Sequence, residues 1–511
     1  MPQMIPTSSR ADRLSARRQV AGYGPGAVDT ALALAVFIAA FAALLALHPF
    51  SRPLVLDPAT WDYMSVRVAD GMVPYRDIFL HKTPGAAFLG AIGASVAPYF
   101  GAEPVAGAHA AFLVLSAAGT ALLFLLCRRS LPILPSLAAA AFLMGFDQWP
   151  LATVEGVRPK VATTALGLAC LLAADSGRFG IAGVFGGAST LCWQPGVAYL
   201  IGVLWRWRQA PNRSKAFVRL VLGSATLPIS LLVWLAAKGA LGAFFVDTVL
   251  FNIHYIEIMA KTPAATIAKI GHEMMRLDPA EMLALPAALI GISMSGALAP
   301  WPLLITGFVY LGMSFVSFQA WPDTILFGAP LAALLAAGLF HLLSRSGRPT
   351  FAGALLFATA IAGAAAPSAA GLFPPITYDE QARAMRALAH GLDDSDSVIA
   401  VSLPEFLIHT HRTSRWPWPY LWFGVDRFVA QRTPGGFDAI LQDLERAPPA
   451  LILLARRWGG PLRKKFSAWA AQRYDRSVVR IYPHTRRPIV VYRLKNTPAM
   501  STSALNDSDA G

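Results

Sequence analysis

Charge is scarce in this sequence: Asp, Glu, Lys and Arg make up 14% of its 511 residues, against about 25% in soluble domains. Such a chain cannot clothe a folded surface for water, so its main solvent is lipid. Cysteine is nearly absent. The three present, Cys127, Cys170 and Cys192, lie in or beside apolar segments without CxxC or CxxxC spacing, and we read them as packing residues. No zinc-finger, helix-turn-helix or RNP-like signature accompanies the net charge of +14, so no nucleic-acid partner is expected. In a membrane protein, basic residues report orientation and headgroup contact instead. The apolar run after Arg10, Arg13, Arg17 and Arg18 lacks a small-residue cleavage site before polar sequence resumes at His48-Pro49, so it reads as a signal anchor.

Apolar sequence is abundant, at 55% of the chain. Runs at 30–47, 105–126, 217–237, 325–343 and 351–372 approach or exceed the ~18 to 20 residues that cross a bilayer as helix. Basic clusters at 10–18, 128–129, 178, 206–215 and 345–348 belong in the cytoplasm by the positive-inside rule. Roughly eleven spans follow. The same assignment puts Asp57, Glu155 and the break Cys192-Trp193-Gln194-Pro195-Gly196 on the outer side, the break interrupting a hairpin of short helices over 180–205. The segment 86–99 is short for a span and fits an interfacial or re-entrant helix, while 238 to about 281 reads as an outer loop.

The expected fold is a polytopic α-helical membrane protein of about 11–13 helices with a small C-terminal α/β domain outside the membrane. Its parts are a cytoplasmic segment 1–29, a transmembrane region 30–373 with its first outer loop at 48–85, the α/β domain 374–497 and a disordered tail 498–511. Within the α/β domain, 397–403, 450–454 and 488–494 read as strands, and 378–392 and 436–446 as helices.

The first outer loop concentrates the groups that carry chemistry. Asp57 precedes Pro58, then Trp61, Met64 and Val68 recur at helical spacing, a pattern that lays an amphipathic helix on the membrane surface. Asp before Pro is also an N-cap signature, and a capping carboxylate at a loop-to-helix junction over the membrane is also placed to meet a headgroup. From Gly71 to Gly85 the chain gathers Tyr75, Arg76, Asp77, His81 and Lys82. Headgroup snorkelling accounts for the two cations but not for Asp77 and His81 beside them. Trp321 and the cluster from Trp416 to Trp422 fit sugar-stacking platforms or interfacial belt aromatics, the belt being the commoner use.

Asp57, Tyr63 six residues on, the run G-x-x-PYRD and then HK-x-PG resemble the first outer loop of bacterial glycosyltransferases of the protein-mannosyltransferase-like superfamily, family 39-like enzymes with the GT-C fold. Glu155, Trp193-Gln194-Pro195, Phe251-Asn252 and Tyr255 agree with that resemblance. It implies transfer of a sugar from a polyprenyl phosphate to a lipid or cell-envelope glycan, on the periplasmic face of a bacterial inner membrane. Asp57 matches the family's general base, and Arg76, Lys82, Arg158 and Lys160 are outward-facing candidates for the leaving phosphate. Arg158 and Lys160 read equally as plain loop charges. Asp62, Asp77, His81 and Glu155 would position the acceptor, or two of them with Asp57 would hold a divalent cation; the metal question stays open. Tyr63 and Tyr75 belong to the matched motif, and Gln194 suits a sugar hydroxyl or phosphate. The chain departs from the family at Phe318-Gln319-Ala320-Trp321-Pro322-Asp323, where relatives often carry a His-Tyr pair, which leaves sugar and acceptor class open. A lipid or sugar transporter or flippase is the alternative reading, as is a non-catalytic binder of lipid-linked sugar. Transporters place ionisable groups mid-membrane and show internal repeats; here the acids cluster in outer loops and no repeat is visible.

Overall fold

The computed structural model describes residues 26–146, 148–259, 264–265, 268, 301–316, 324–344, 348–364, 376–421, 424–455, 458–479 and 488–495. The basic cluster at 10–18, most of the 260–300 stretch, Phe318 to Asp323, Trp422 and the tail 498–511 lie outside them.

The chain is a polytopic helical membrane protein. Its first helix, α1 (Ala27–Ala46), leads into α2 (Leu56–Ala69), α3 (Gly85–Val96), α4 (Pro104–Arg128), α5 (Ile133–Gly145), α6 (Gln148–Val154) and α7 (Pro159–Asp175). Then come α8 (Phe179–Cys192), α9 (Val197–Trp207), α10 (Arg213–Ala237) and α11, which joins Leu241–Phe245, a π turn at Val246–Leu250 and Phe251–Met259. Three further apolar helices follow, α12 (Trp301–Val316), α13 (Thr324–Ser344) and α14 (Pro349–Ala364). Among the described residues, four helices are long and apolar enough to cross a bilayer alone, and a fifth span arises if α6 and α7 count as one; α3, α5, α8 and α12–α14 are shorter apolar helices.

Small residues let these helices pack closely. A Cβ on Gly93 would stand 2.1 Å from the carbonyl oxygen of Gly107, so α3 and α4 touch backbone to backbone. Gly183 and Gly187 of α8 meet Gly223 and Ser224 of α10 in the same way. The hairpin break stands where the sequence puts it, with a 3-10 turn at Gln194–Gly196 between α8 and α9.

Beyond the membrane helices lie α15 (Tyr378–Leu388), β1 (Val398–Val401), α16 (Pro404–His409), α17 (Val425–Arg432), α18 (Gly436–Arg446), β2 (Leu451–Ala455), α19 (Pro461–Arg473), β3 (Tyr474–Val479) and β4 (Ile489–Leu494). Thr377 starts α15 with a capping box closed by Glu380, as its T-x-x-E spacing allows. The sheet order is β1-β2-β4-β3, with β1 parallel to β2 and the other pairs antiparallel. Strand β3 escapes sequence patterning because four consecutive residues of it are exposed, leaving no alternation to read.

Three local readings change. Helix α2 does not lie on a surface: residues 58–67 are buried, and it packs against α3, α4 and α16. Asp57 is not its cap, since the helix starts at Leu56 and Val55 occupies the cap position without a side-chain bond. Residues 241–259, expected in an outer loop, are helical. Their polar groups are spent on the first outer loop: Asp247 accepts from Leu80 N–H (3.4 Å) and Asn252 Nδ2 donates to the His81 carbonyl (2.7 Å), so a helix face reads as loop-like polarity.

Candidate active site

The connection between α6 and α7 turns through 117°, and Glu155 and Arg158 stand at its apex. Gly156 makes the turn at φ +135°, a conformation L side chains rarely adopt, and Pro159 then starts α7 at a position where no N–H is needed. Asp62 locks the turn from behind. It is fully buried, accepts from Val157 N–H at 2.9 Å and lies 3.1 Å from His109 Nε2. A Cβ on Gly156 would come within 2.6 Å of Asp62 Oδ2. Gly156→Ala is therefore expected to cost about 2–4 kcal/mol, from backbone strain plus displacement of Asp62. A lowered thermal midpoint in detergent checks it; an unchanged midpoint would show that the turn relaxes freely.

At the apex, Arg158 bridges two carboxylates. Its Nη1 donates to Asp57 Oδ2 at 2.6 Å, and its Nη2 donates to Glu155 Oε2. Asp57 and Asp62 are five residues apart, so they leave α2 on different faces: one enters this cluster, the other the locked turn behind it. The Asp57 side chain keeps 60% of its surface accessible, so solvent reaches it. Two ammonium groups share the indole of Trp193: Lys160 Nζ lies 5.2 Å and Lys82 Nζ 5.6 Å from its ring centre. Lys82 also approaches the Trp61 ring, at 5.8 Å.

Burial pushes the Asp57 carboxyl up, but Lys82, Arg158 and Lys160 together outweigh it and hold the group below the usual carboxylate range. Burial lowers the Lys82 ammonium, against the pull of Asp57. Burial, then Lys82 beside it, pushes His81 down to about 3, so its imidazole is neutral. The basic side chains Lys82, Arg158 and Lys160 therefore gather beside the carboxylates of Asp57 and Glu155, an arrangement suited to an anionic ligand.

The other motif residues shape the loop. Arg76 grips Asp77 through two bonds of 2.8 and 2.9 Å and caps the Lys238 carbonyl, while Asp77 accepts from Val73 N–H. Tyr75, at φ +72° and buried, donates to the Lys82 carbonyl at 2.9 Å and so props the lysine from its own turn. Tyr63 is buried and accepts from Ser414 N–H at 3.4 Å. Asp62, Tyr63, Tyr75, Arg76 and Asp77 thus stand outside the charged cluster, whereas Asp57, Lys82, Glu155, Arg158 and Lys160 are joined in it. At the helix break, Trp193 supplies the contact, and neighbouring Gln194 makes no side-chain hydrogen bond to the cluster. Sequence reasoning passed over Trp61, Trp193 and Asn252 as site residues. Trp193 and Asn252 entered only in support of the first-loop resemblance and Trp61 only as part of a helical spacing, and their partners lie 21 to more than 100 positions away. Among the described residues no group of three His, Cys, Asp or Glu side chains is arranged to hold a metal ion.

No family model matches the chain, and no curated protein matches its sequence. Among solved structures it is similar to ArnT from Cupriavidus metallidurans bound to undecaprenyl phosphate, with a TM-score of 0.54, 13% identity, and coverage of 93% of this chain and 99% of that one. The apo form of ArnT from the same organism gives a TM-score of 0.45 at 13% identity, covering 95% and 100%. At that identity the first likeness establishes architecture alone. The chain has the GT-C fold, the fold of ArnT.

Proposed function

We propose that this protein is a membrane glycosyltransferase that moves a sugar from a polyprenyl-phosphate donor to a hydroxyl of a lipid or cell-envelope glycan, at the periplasmic face of the bacterial inner membrane. The observation that carries the reading is the solvent-reached carboxylate of Asp57 set among Lys82, Arg158 and Lys160. A transfer of this kind needs a base for the acceptor proton and cations for the departing phosphate at one place. The solved ArnT structure bound to undecaprenyl phosphate supports a lipid carrier of this class.

In the proposed reaction Asp57 takes the acceptor's proton as the hydroxyl oxygen bonds to the anomeric carbon. The bond from that carbon to the phosphate oxygen breaks, and its electron pair stays on the phosphate beside Lys82, Arg158 and Lys160. Among the described residues only Oδ2 of Asp57 is hydrogen-bonded, by Arg158, so Oδ1 is the proton acceptor. The donor phosphate also tunes the base. By engaging the cations it weakens their hold on Asp57, whose affinity for a proton then rises toward the value that a general base needs. Glu155 keeps Arg158 in place while this happens. A divalent cation is not required by this scheme.

The test supplies membranes carrying the full chain with a labelled polyprenyl-phosphate sugar and extracted envelope lipids. Donor consumption with appearance of free polyprenyl phosphate and labelled lipid is expected. Labelled sugar crossing the membrane unchanged would favour the transporter instead, and an unconsumed, untransported donor would end the transferase reading.

A further inference from the structure

The C-terminal α/β unit holds the first outer loop along its length. Tyr378 N–H donates to the Ser51 carbonyl at 2.8 Å, and the buried side chain of Gln381 pairs with both the N–H and the C=O of Leu54. Farther along, Phe79 N–H donates to the Pro417 carbonyl at 2.9 Å, and the Phe79 ring joins the hydrophobic core of the α/β unit. The next inward-facing group is His81. Its Nδ1 is hydrogen-bonded to the hydroxyl of Tyr420, a residue 339 positions away and 6% exposed. Phe79, Phe251 and Tyr255 flank the ring, and Asn252 fixes its backbone carbonyl.

Resting on the transferase reading of the same site, we propose that Tyr420 is a positioning residue: its hydroxyl donates to His81 Nδ1 and fixes the imidazole with its proton on Nε2, ready to donate to an oxygen of the lipid-linked sugar donor.

Geometry carries this step. A neutral imidazole has one donor and one acceptor nitrogen, so the partner of Nδ1 decides which nitrogen offers a proton. Burial keeps the Tyr420 phenol protonated, and burial with Lys82 keeps the imidazole neutral, so the phenol has a proton to give and Nδ1 can accept it. Lys82, the next residue, points into the charged cluster, and the charge of Asp57 acts on the His81 ring. A tertiary contact from the α/β unit thus sets the chemistry of a residue in the first outer loop.

Full-length protein in nanodiscs tests this in two ways. In the first, Tyr420→Phe, His81→Ala and the double variant are assayed with the labelled donor. We expect Tyr420→Phe to lower kcat by about tenfold with KM for the donor within about twofold, and to have less than about a twofold effect when His81 is already Ala. His81→Gln, which returns an amide near the Nε2 position, is expected to retain more activity than His81→Asn, which returns one near Nδ1. Equal losses in both backgrounds, or no loss, would overturn the proposal. The second measurement is independent of turnover: 15N spectra of histidine-labelled protein, with His81 assigned by its absence in His81→Gln. An unprotonated Nδ1 that changes in Tyr420→Phe is the expected result; a protonated Nδ1 in the unaltered protein overturns the proposal. Absence of donor consumption by the unaltered protein would instead remove the transferase reading, with the nitrogen spectrum still deciding the hydrogen bond.

Discussion

Asp57→Asn is expected to lower kcat for sugar transfer by about 10²- to 10⁴-fold, the range associated with loss of a positioned general base. The substitution keeps the shape of the side chain and one of its oxygens but leaves no group able to take the acceptor's proton. The fold should survive, because the side chain is 60% exposed and caps no helix. Donor binding should persist or strengthen, since Lys82, Arg158 and Lys160 then have one negative charge fewer beside them. Turnover of a labelled polyprenyl-phosphate sugar, with donor binding measured on the same preparations, separates these effects. Retention of more than about a tenth of the unaltered rate would place the base elsewhere, because it falls outside the range for general-base loss.

Lys82→Ala carries the second large expectation, a fall in kcat/KM of about 10²- to 10³-fold, comparable to removing one donor that stabilises a developing oxyanion. The ammonium is held in a half-buried position over Trp61 and Trp193, and its backbone carbonyl is fixed by Tyr75. A water molecule entering the space brings no charge for the leaving phosphate. Lys82→Arg should restore part of the loss, if the larger guanidinium fits between the two indoles.

The same variant has a pH signature. Asp57 has a depressed pKa, so its ionised, proton-accepting form is present above that value and is lost as pH falls through it. Activity of the unaltered protein should therefore persist below the ordinary Asp value of about 3.9 before its acid limb appears. Lys82 is the largest of the charges that lower Asp57. Without it, fewer charges oppose burial and the acid limb moves to higher pH. Profiles of kcat/KM for the two proteins read this directly, and an unmoved limb would mean that Lys82 does not act on Asp57.

Much of the helical part was legible in the sequence because lipid imposes a strong rule: every backbone polar group must be satisfied inside the segment, so spans appear as long apolar runs. The break at Trp193-Gln194-Pro195 was legible for a local reason, since proline withholds the N–H a continuing helix would use. Helix α18 matched its pattern to the residue, Gly436–Arg446, because its apolar stripe faces one core. Helix α2 misled. Its Trp61, Met64 and Val68 spacing looked one-sided, but the opposite side is covered too, by α16 and the locked turn at 155–158. The covering elements lie about 95 to 350 residues farther on, and no local pattern announces them.

The site divides along the same line. Asp57 could be named from the first-loop resemblance, and Lys82, Glu155, Arg158 and Lys160 because charge in an apolar chain is conspicuous and the positive-inside rule assigns them to one side. Their separate tasks could not be named. That Asp62 turns away from Asp57 follows from helical geometry, yet its burial against His109 and Val157 depends on the 117° bend between α6 and α7. That Tyr75, Arg76 and Asp77 fold the loop, while Lys82 enters the cluster, depends on a turn with positive φ at Tyr75. Composition and hydropathy thus determined a lipid-embedded helical chain, and the scarce charges marked its candidate groups. Only the tertiary structure decided which carboxylate faces solvent, which cations share one indole, and that a tyrosine 339 residues distant holds the loop histidine, because those facts rest on contacts between segments that the chain must first fold to bring together.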